Sequence, residues 1–423
     1  MYNILKGRLL PVRVCLIASM LMLLAIGIAT IYAIGHPAED SPAGDAHRFA
    51  GHWRKQLAFA VVGLAGFILA NLVNYRGLGL ISHWIYGIVL VMLAIILFSK
   101  YVISLPFVPM RNGAYRWIVF TVGARELPAI QPSEFCKLAY ILALAWYLRY
   151  RSNYRTFGAL VGPFAVTLLP MVLILLEPDL GTVLLLMPVF FTMLFVAGAR
   201  IKHLAIIVLL AILVSPAMWL MLKGYQRERI SSVLLQSQWL RKKAEASPTL
   251  GKFLVGQNFT ERGWRTDWGY HLIRSKHAVA SGGFAGQGYA EGPFIKYNFL
   301  SERHNDFIFS VISHQWGFVG CLGFLFLYVL LITCGLEIAG GNTDPFARLL
   351  AVGIVAMFVV EVTINVGMTL GLMPITGLTL PFVSYGGSSL LVNMTAVGLL
   401  NNVGRCRPFT VAPRNRVMMQ EGA

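Results

Sequence analysis

The sequence predicts an all-α polytopic membrane protein of about ten transmembrane helices, with a large extracytoplasmic loop between the seventh and the eighth. Three observations lead there. Hydrophobic residues make up 57% of the 423 positions and charged residues only 13%, where a soluble chain carries about 25% charge; mean hydropathy is +0.68. Apolar runs of about twenty residues recur from end to end, each long enough to cross a hydrocarbon core of about 30 Å as a helix. No stretch alternates polar and apolar residues in the manner of a barrel strand.

The first run, Val14 to Gly35, exceeds the roughly 7–15-residue apolar core of a signal peptide and lacks a small-residue cleavage site, so it is the first span. Further spans are expected at roughly 56–73, 78–98, 130–148, 157–176, 180–198, 203–222, 307–336, 346–370 and 385–403. Together they make residues 1–423 one membrane domain. Lys6, Arg8, Arg13, Arg76, Arg149, Arg151, Arg155, Arg200, Lys202, Arg405 and Arg407 mark one set of short loops as cytoplasmic. Both termini, including the 404–423 tail, fall on that side. Segments 99–129, 223–306 and the Pro/Gly-rich 371–384 then face outward. Segment 223–306, amphipathic and basic around Arg241, Lys242 and Lys243, either contains a helix lying on the membrane surface or is a solvated loop.

Cys15, Cys136, Cys321, Cys334 and Cys406 lie in or beside apolar runs without metal-ligand spacing, so they indicate packing rather than a disulfide framework or a zinc site. The net charge of +17 is spread over loops rather than gathered on one polar domain. That distribution points to anionic lipid and phosphate and away from nucleic acid.

Ionisable residues inside spans are the strongest functional signal. Glu134 and Lys137 open the fourth span three residues apart, on one helical face where they can pair. Asp179 follows Glu177-Pro178 in a very short outward turn. At mid-membrane each such group costs about 2.5–3.5 kcal/mol unless paired or wetted. The alternatives are an interfacial salt bridge locking two helices or a polar cavity open to the outside. Arg116, Arg227, Arg229, Glu302, Arg303, His304 and Asp306 add polar groups on the same side, and for Arg116, Arg227 and Arg229 headgroup snorkelling is the competing account. His304 beside Asp306 has no further His or Cys to complete a ligand set and reads as a surface histidine. His314 and Gln315, within the eighth span, are expected to hydrogen-bond across helices.

Ser281-Gly282-Gly283-Phe284-Ala285-Gly286-Gln287-Gly288 lacks GxGxxG spacing and a surrounding strand–helix unit, which excludes a dinucleotide site. Its glycines suit close backbone approach to a ligand or the membrane, or an ordinary turn. Pro381-Phe382-Val383-Ser384-Tyr385-Gly386-Gly387-Ser388-Ser389 is either a re-entrant, broken-helix element or a plain loop with a serine N-cap.

Six stretches in register carry a resemblance: Gly113–Ile118, Gln131–Glu134, Glu177–Thr182, Ser281–Gly283, Glu302–Phe309 and Pro381–Ser389. Together they resemble the SEDS family (shape, elongation, division and sporulation). Asn365-Val366-Gly367-Met368 followed by Gly371-Leu372-Met373-Pro374-Ile375-Thr376-Gly377 looks more like its rod-shape branch than its division branch. The resemblance implies a ten-helix peptidoglycan glycosyltransferase of the bacterial cytoplasmic membrane that polymerises lipid II at the outer face. It also implies a class B penicillin-binding protein as transpeptidase partner, among other elongation-complex membrane proteins. The family's essential acid falls on Asp306, and its cavity groups fall on Glu134, Lys137 and Asp179. Arg116 and Glu302 match the family arginine and glutamate, and Ser384 in the Pro381–Ser389 stretch completes the expected substrate-binding set. Ser301, Asn305 and Ser313-His314-Gln315 depart from the family's usual proline, threonine and Ala-Glu-Glu. The loop between Ile230 and Tyr270 is longer than usual, so contacts there do not carry over.

A β-1,4 link from an α-linked lipid pyrophosphate needs one base and one cationic clamp. Asp306 is the expected base, a role worth about 10²–10⁴ in rate, and half-burial would raise its basicity. Lys137, Arg116 or a bound divalent cation can stabilise the departing pyrophosphate; no other cofactor is indicated. The rival readings are a lipid II flippase, which needs a central site reachable from both faces, and a non-catalytic scaffold activating a transpeptidase.

Overall fold

The computed structural model describes residues 9–37, 49–111, 113–122, 125–126, 128–150, 157–297, 299–300 and 303–406. Lys6, Arg8, Arg151, Arg155, Arg407 and the expected site residue Glu302 lie outside the described residues. The first seven helices are α1 (Leu10–Gly35), α2 (His52–Leu72), α3 (Tyr75–Tyr101), α4 (Pro132–Leu148), α5 (Val161–Leu176), α6 (Leu180–Val196) and α7 (Ile201–Met221). After the shorter helical segments of residues 224–296, of which the four longest are the eighth to eleventh helices, come α12 (Ile308–Gly340), α13 (Pro345–Leu370) and α14 (Gly387–Arg405).

Every expected span therefore coincides with a helix. Six of them, α1, α2, α3, α5, α12 and α13, are long and apolar enough to cross a membrane, and α6 and α7 are shorter apolar helices. The other two, α4 and α14, are more polar because they carry Glu134 and Lys137 and a run of asparagines. Local chemistry sets the ends: Asn74 and Asp344 cap α3 and α13 by accepting from backbone amides two residues on, and Pro132 sits in the first turn of α4, where its missing N–H costs nothing.

Helix α13 is the centre of the bundle. In its most apolar window 72% of residues are buried, against 22% for α3. It packs on α12, α6 and α4, while α14 packs along α2 and α1 along α12. At one end of the bundle Arg13, expected in a loop, is instead buried within α1 and donates to Asn401 at 2.8 Å. Asn401 in turn donates to Asn71, and Asn402 donates to the carbonyls of Ala70 and Val73. Loop position alone therefore misplaces Arg13: a buried guanidinium is tolerated there because side-chain carbonyls receive it.

Segment 223–306 contains helices rather than forming an open loop. It folds into α8 (Gly224–Leu234), α9 (Gln238–Ala246), α10 (Pro248–Val255) and α11 (Tyr270–Gly282). These enclose a small apolar core of Leu235, Leu254, Val255, Phe259, Trp264 and Leu272. Helix α11 docks on the bundle through Ser275, whose hydroxyl lies 2.7 Å from that of Ser310 and donates to Thr369 O at 2.8 Å. Arg227 donates to the carbonyls of Leu222 and Leu220 and so caps the end of α7. Between α3 and α4, Thr121–Val122 pairs antiparallel with Arg125–Glu126.

The glycine-rich run 281–288 approaches backbone, as its composition allows, but its partner is α12. Gly317 interrupts α12 at φ 63. Around that break Gln287 N and Gly288 N donate to the carbonyls of His314 and Gln315, and Phe318 N and Val319 N donate to those of Gly283 and Phe284. A Cβ at Gly286 would overlap the Gln315 carbonyl, and one at Gly317 would overlap Gly286 N. The loop thus supplies the hydrogen bonds that the broken helix forgoes.

Candidate active site

The site is built where two loops interlock. Residues 303–307 precede α12, and residues 371–386 run from α13 to α14. The second loop is irregular yet largely buried: Leu378, Leu380, Phe382, Val383 and Ser384 are all inside. Buried irregular backbone must have its hydrogen bonds met by protein or water. Asn365 on α13 donates to Leu378 O at 2.7 Å and to Asp306 O at 3.1 Å. Tyr328 donates to Pro381 O and Gln56 donates to Ser384 O. Ser384 Oγ accepts from Leu380 N and donates to Asn305 O, both at 2.8 Å, and Tyr385 N donates to His304 O. Phe382 is held at φ 67, a left-handed backbone that costs a non-glycine residue roughly 1–2 kcal/mol. Helix α14 then starts from Gly386 without a side-chain cap, so the serine N-cap reading does not hold.

Asp306 is half-buried at this junction, with Gly377 beside its carboxylate. His304 is also half-buried rather than on the surface, in ring contact with Phe49, His52 and Tyr385. Burial, with His52 and Arg303 nearby, lowers its pKa to about 4, so it is neutral at pH 7. Arg303 is buried as well and donates to the carbonyls of Phe294 and Ile295.

Glu134 and Lys137 do pair, at 2.7 Å. Lys137 also meets Glu361 of α13 at 2.6 Å, and both of these side chains are fully buried. Sequence reasoning missed Glu361. The signal was present, since it is the one acid in the 346–370 apolar run and an intramembrane carboxylate marks function by default. Glu361 lies four residues before Asn365, one turn away on the same face. The acid–base triad therefore connects through one helix turn to the residue that holds the Asp306 backbone. Buried Glu361 Oε2, Asn365 Oδ1 and Asn393 Oδ1 accept no hydrogen bond from the described residues; such acceptors are left for water or a ligand to satisfy.

Asp179 caps α6, accepting from Thr182 N and Thr182 Oγ1, and from Ser133 Oγ of α4 at 2.9 Å. Arg116 donates through Nε to Glu177 O at 3.0 Å and through Nη2 to Pro178 O. Lys100 donates to Leu176 O. Two cations thus sit at the C-terminal end of α5, where its carbonyls favour positive charge. Glu177 itself is buried, which pushes its carboxyl up to about 9; Asp179 adds to the rise while Arg116 and Lys100 oppose it. Ser388 accepts from Gln131 N and donates to Ala129 O, tying the start of α14 to that of α4.

The structure ties Asn365 to the backbone carbonyl of Asp306 and Ser384 to that of Asn305. It links Glu134, Lys137 and Glu361 to them through α13, and Asp179 to the same α4 end through Ser133. Ser384 and Arg116 hold backbone with the groups described. His314 does bond across elements, its Nδ1 2.7 Å from Ser281 Oγ, but neither side-chain polar atom of buried Gln315 finds a partner among the described residues. No three His, Cys, Asp or Glu among the described residues are grouped to hold a metal ion. A divalent cation here would rely on phosphate oxygens as ligands.

These features define a helical membrane protein whose bundle encloses a charged network next to two interlocked loops. The profile of the FtsW, RodA and SpoVE family, described as cell cycle proteins, matches residues 13–407, and the chain belongs to that family. It is 32% identical to peptidoglycan glycosyltransferase RodA of Treponema pallidum, over 92% of this chain and 96% of the relative. It is 35% identical to stage V sporulation protein E of Bacillus subtilis over the same shares, and 35% identical to peptidoglycan glycosyltransferase MrdB of Escherichia coli over 69% of this chain and 71% of the relative. Among solved structures, a chain from work on the structural coordination of polymerization and crosslinking by a peptidoglycan synthase complex superposes with a TM-score of 0.69 at 31% identity, covering 92% of this chain and 96% of that one. The rod shape determining protein RodA of Thermus thermophilus superposes at 0.60 with 27% identity, covering 92% and 95%.

Proposed function

We propose that this chain is a peptidoglycan glycosyltransferase that polymerises lipid II into β-1,4 glycan at the outer face of the bacterial cytoplasmic membrane, in the rod-shape branch of its family. Both termini are cytoplasmic, ten helices span the bilayer, and a class B penicillin-binding protein crosslinks the product. Relatives that bear the glycosyltransferase name support the activity. The observation that carries the site is the half-buried Asp306, fixed by Asn365 through its own carbonyl and by Ser384 through that of Asn305.

In the reaction the acceptor's 4-hydroxyl oxygen attacks the donor anomeric carbon from the face opposite the phosphate. The new C–O bond forms, the bond to the pyrophosphate breaks with its electron pair, and configuration inverts. Asp306 takes the hydroxyl proton. The charge developing on the leaving group calls for a cation, Arg116 or a bound divalent ion; Lys137, shared by two carboxylates, holds the buried triad instead, and Ser384 positions the loop that carries Asp306. Purified protein given labelled lipid II is expected to make polymer, and Asp306→Asn, which keeps the shape and removes the base, is expected to reduce the rate by at least about 10². Substantial polymer from Asp306→Asn would overturn the assignment.

A further inference from the structure

The helical unit 224–282 carries a basic cleft of about 470 Å³ separate from Asp306, lined by Gln236, Arg241, Trp264, Arg265, Arg274 and Lys276 among others. Its cations exceed their partners. Arg241 and Arg265 share a single carboxylate, Glu261, at 2.8 and 2.9 Å. Lys276 donates to the neutral amide of Gln236 at 2.7 Å, and Arg274 lies over the rings of Tyr270 and Phe299. The surrounding chain does not neutralise them, since residues 223–300 hold twelve Lys and Arg against five Asp and Glu. The cleft also touches the loop that holds the reaction centre: Gln236 donates to Gly371 O at 2.7 Å. Gly371 ends α13 six residues beyond Asn365, a rise of roughly 9 Å.

We propose that this cleft is an anion subsite of the polymerising site. It takes carboxylate or phosphate groups of the substrate or strand whose sugar stands at Asp306, so the assignment rests on the function proposed above. Arginine forks bind planar anions of either kind. A cleft of this volume falls within the roughly 300–1,000 Å³ of small-molecule sites, which favours a substrate group over a folded acidic partner.

The test is calorimetric titration of the full-length purified chain with inorganic pyrophosphate and, separately, with the diacid dipeptide acetyl-Ala-Glu. The proteins are wild type, Asp306→Asn and Arg265→Gln/Lys276→Gln, the last removing the cleft's two exposed cations. Wild type and Asp306→Asn are expected to bind at least one probe equally. The double variant is expected to bind about tenfold more weakly at an unchanged melting temperature, and Lys276→Arg to bind as wild type. Pyrophosphate binding identifies the lipid phosphates as the source, and dipeptide binding identifies the peptide stem. Equal binding by wild type and the double variant, or no binding of either probe to wild type, overturns the subsite. So does a double variant whose only loss is co-purification of the transpeptidase. Polymerisation by Asp306→Asn would instead overturn the reaction assignment, leaving the titration to decide the cleft.

Discussion

Replacing Lys137 by Met removes the single cation shared by Glu134 and Glu361. Lys137 lies 2.7 and 2.6 Å from the two carboxylates, with its own side chain and that of Glu361 wholly inaccessible. Removing one partner of a buried ion pair costs about 3–5 kcal/mol, because the remaining charge is stranded away from water. Here two carboxylates are stranded together, so the upper half of that range applies. An unfolding entropy of about 2.1 cal/mol/K per residue converts that upper half, about 4–5 kcal/mol, into a fall in Tm of roughly 5–6 °C for a chain of this length. The assay is thermal unfolding of detergent-purified protein, with polymerisation measured in parallel. The companion variant Glu134→Gln/Lys137→Met/Glu361→Leu removes all three charges and is expected to recover most of the lost stability, since apolar replacement of a complete buried ion network is often neutral or stabilising. It is not expected to recover activity. A Lys137→Met protein that melts with wild type, or a triple variant that melts no higher than the single one, would refute the argument that Lys137 offsets the burial of both carboxylates.

Asn365→Ala strands the carbonyls of Asp306 and Leu378, each worth about 1–3 kcal/mol when buried without a donor; Tm and activity are expected to fall together, and loss of neither would show that other donors replace the amide. Gly286→Val drives a side chain into the Gln315 carbonyl and is expected to destabilise by about 1–3 kcal/mol, read as a drop in Tm larger than that of Gly323→Ala, where a Cβ meets open space. Glu177, with its pKa up to about 9, keeps a proton in the folded state that the unfolded chain releases near pH 4.3. Stability should therefore decline as pH rises from about 4.5 toward 9. Glu177→Gln should flatten that decline in a Tm-versus-pH series, and an identical slope in the variant would assign it to another group.

The architecture was legible because hydrocarbon imposes its own pattern: apolar runs of the right length can only be helices there, and each coincided with one. The fold of residues 224–282 was not legible. Its core draws on Leu235, Leu254, Trp264 and Leu272 from separate short helices, and such a sparse pattern lacks the periodicity that reveals a long amphipathic element. The pairing of Glu134 with Lys137 followed from spacing on one helix, which sequence shows directly. Glu361 joins from a helix more than two hundred residues away, and no local rule connects the two. His304 looked exposed because only its immediate neighbours could be read; the rings that cover it come from α2 and from the loop before α14.

The same logic separates architecture from chemistry among the polar groups inside the bundle. Ser384 both accepts and donates at 2.8 Å, and Tyr328 and Gln56 are committed to carbonyls of one buried loop. An irregular segment inside a bundle is stable only if such donors saturate it, so these residues account for the loop's existence without any appeal to substrate. Glu361 cannot be explained that way. It contacts no loop carbonyl, it is buried at high cost, and one of its oxygens accepts nothing from the described residues. A helix lock between α4 and α13 would be served as well by leucines. What the charged triad adds is an excess of acceptor oxygens one helix turn from the residue that fixes Asp306, and that polarity is useful only if water or a hydrogen-bond donor of the substrate reaches it.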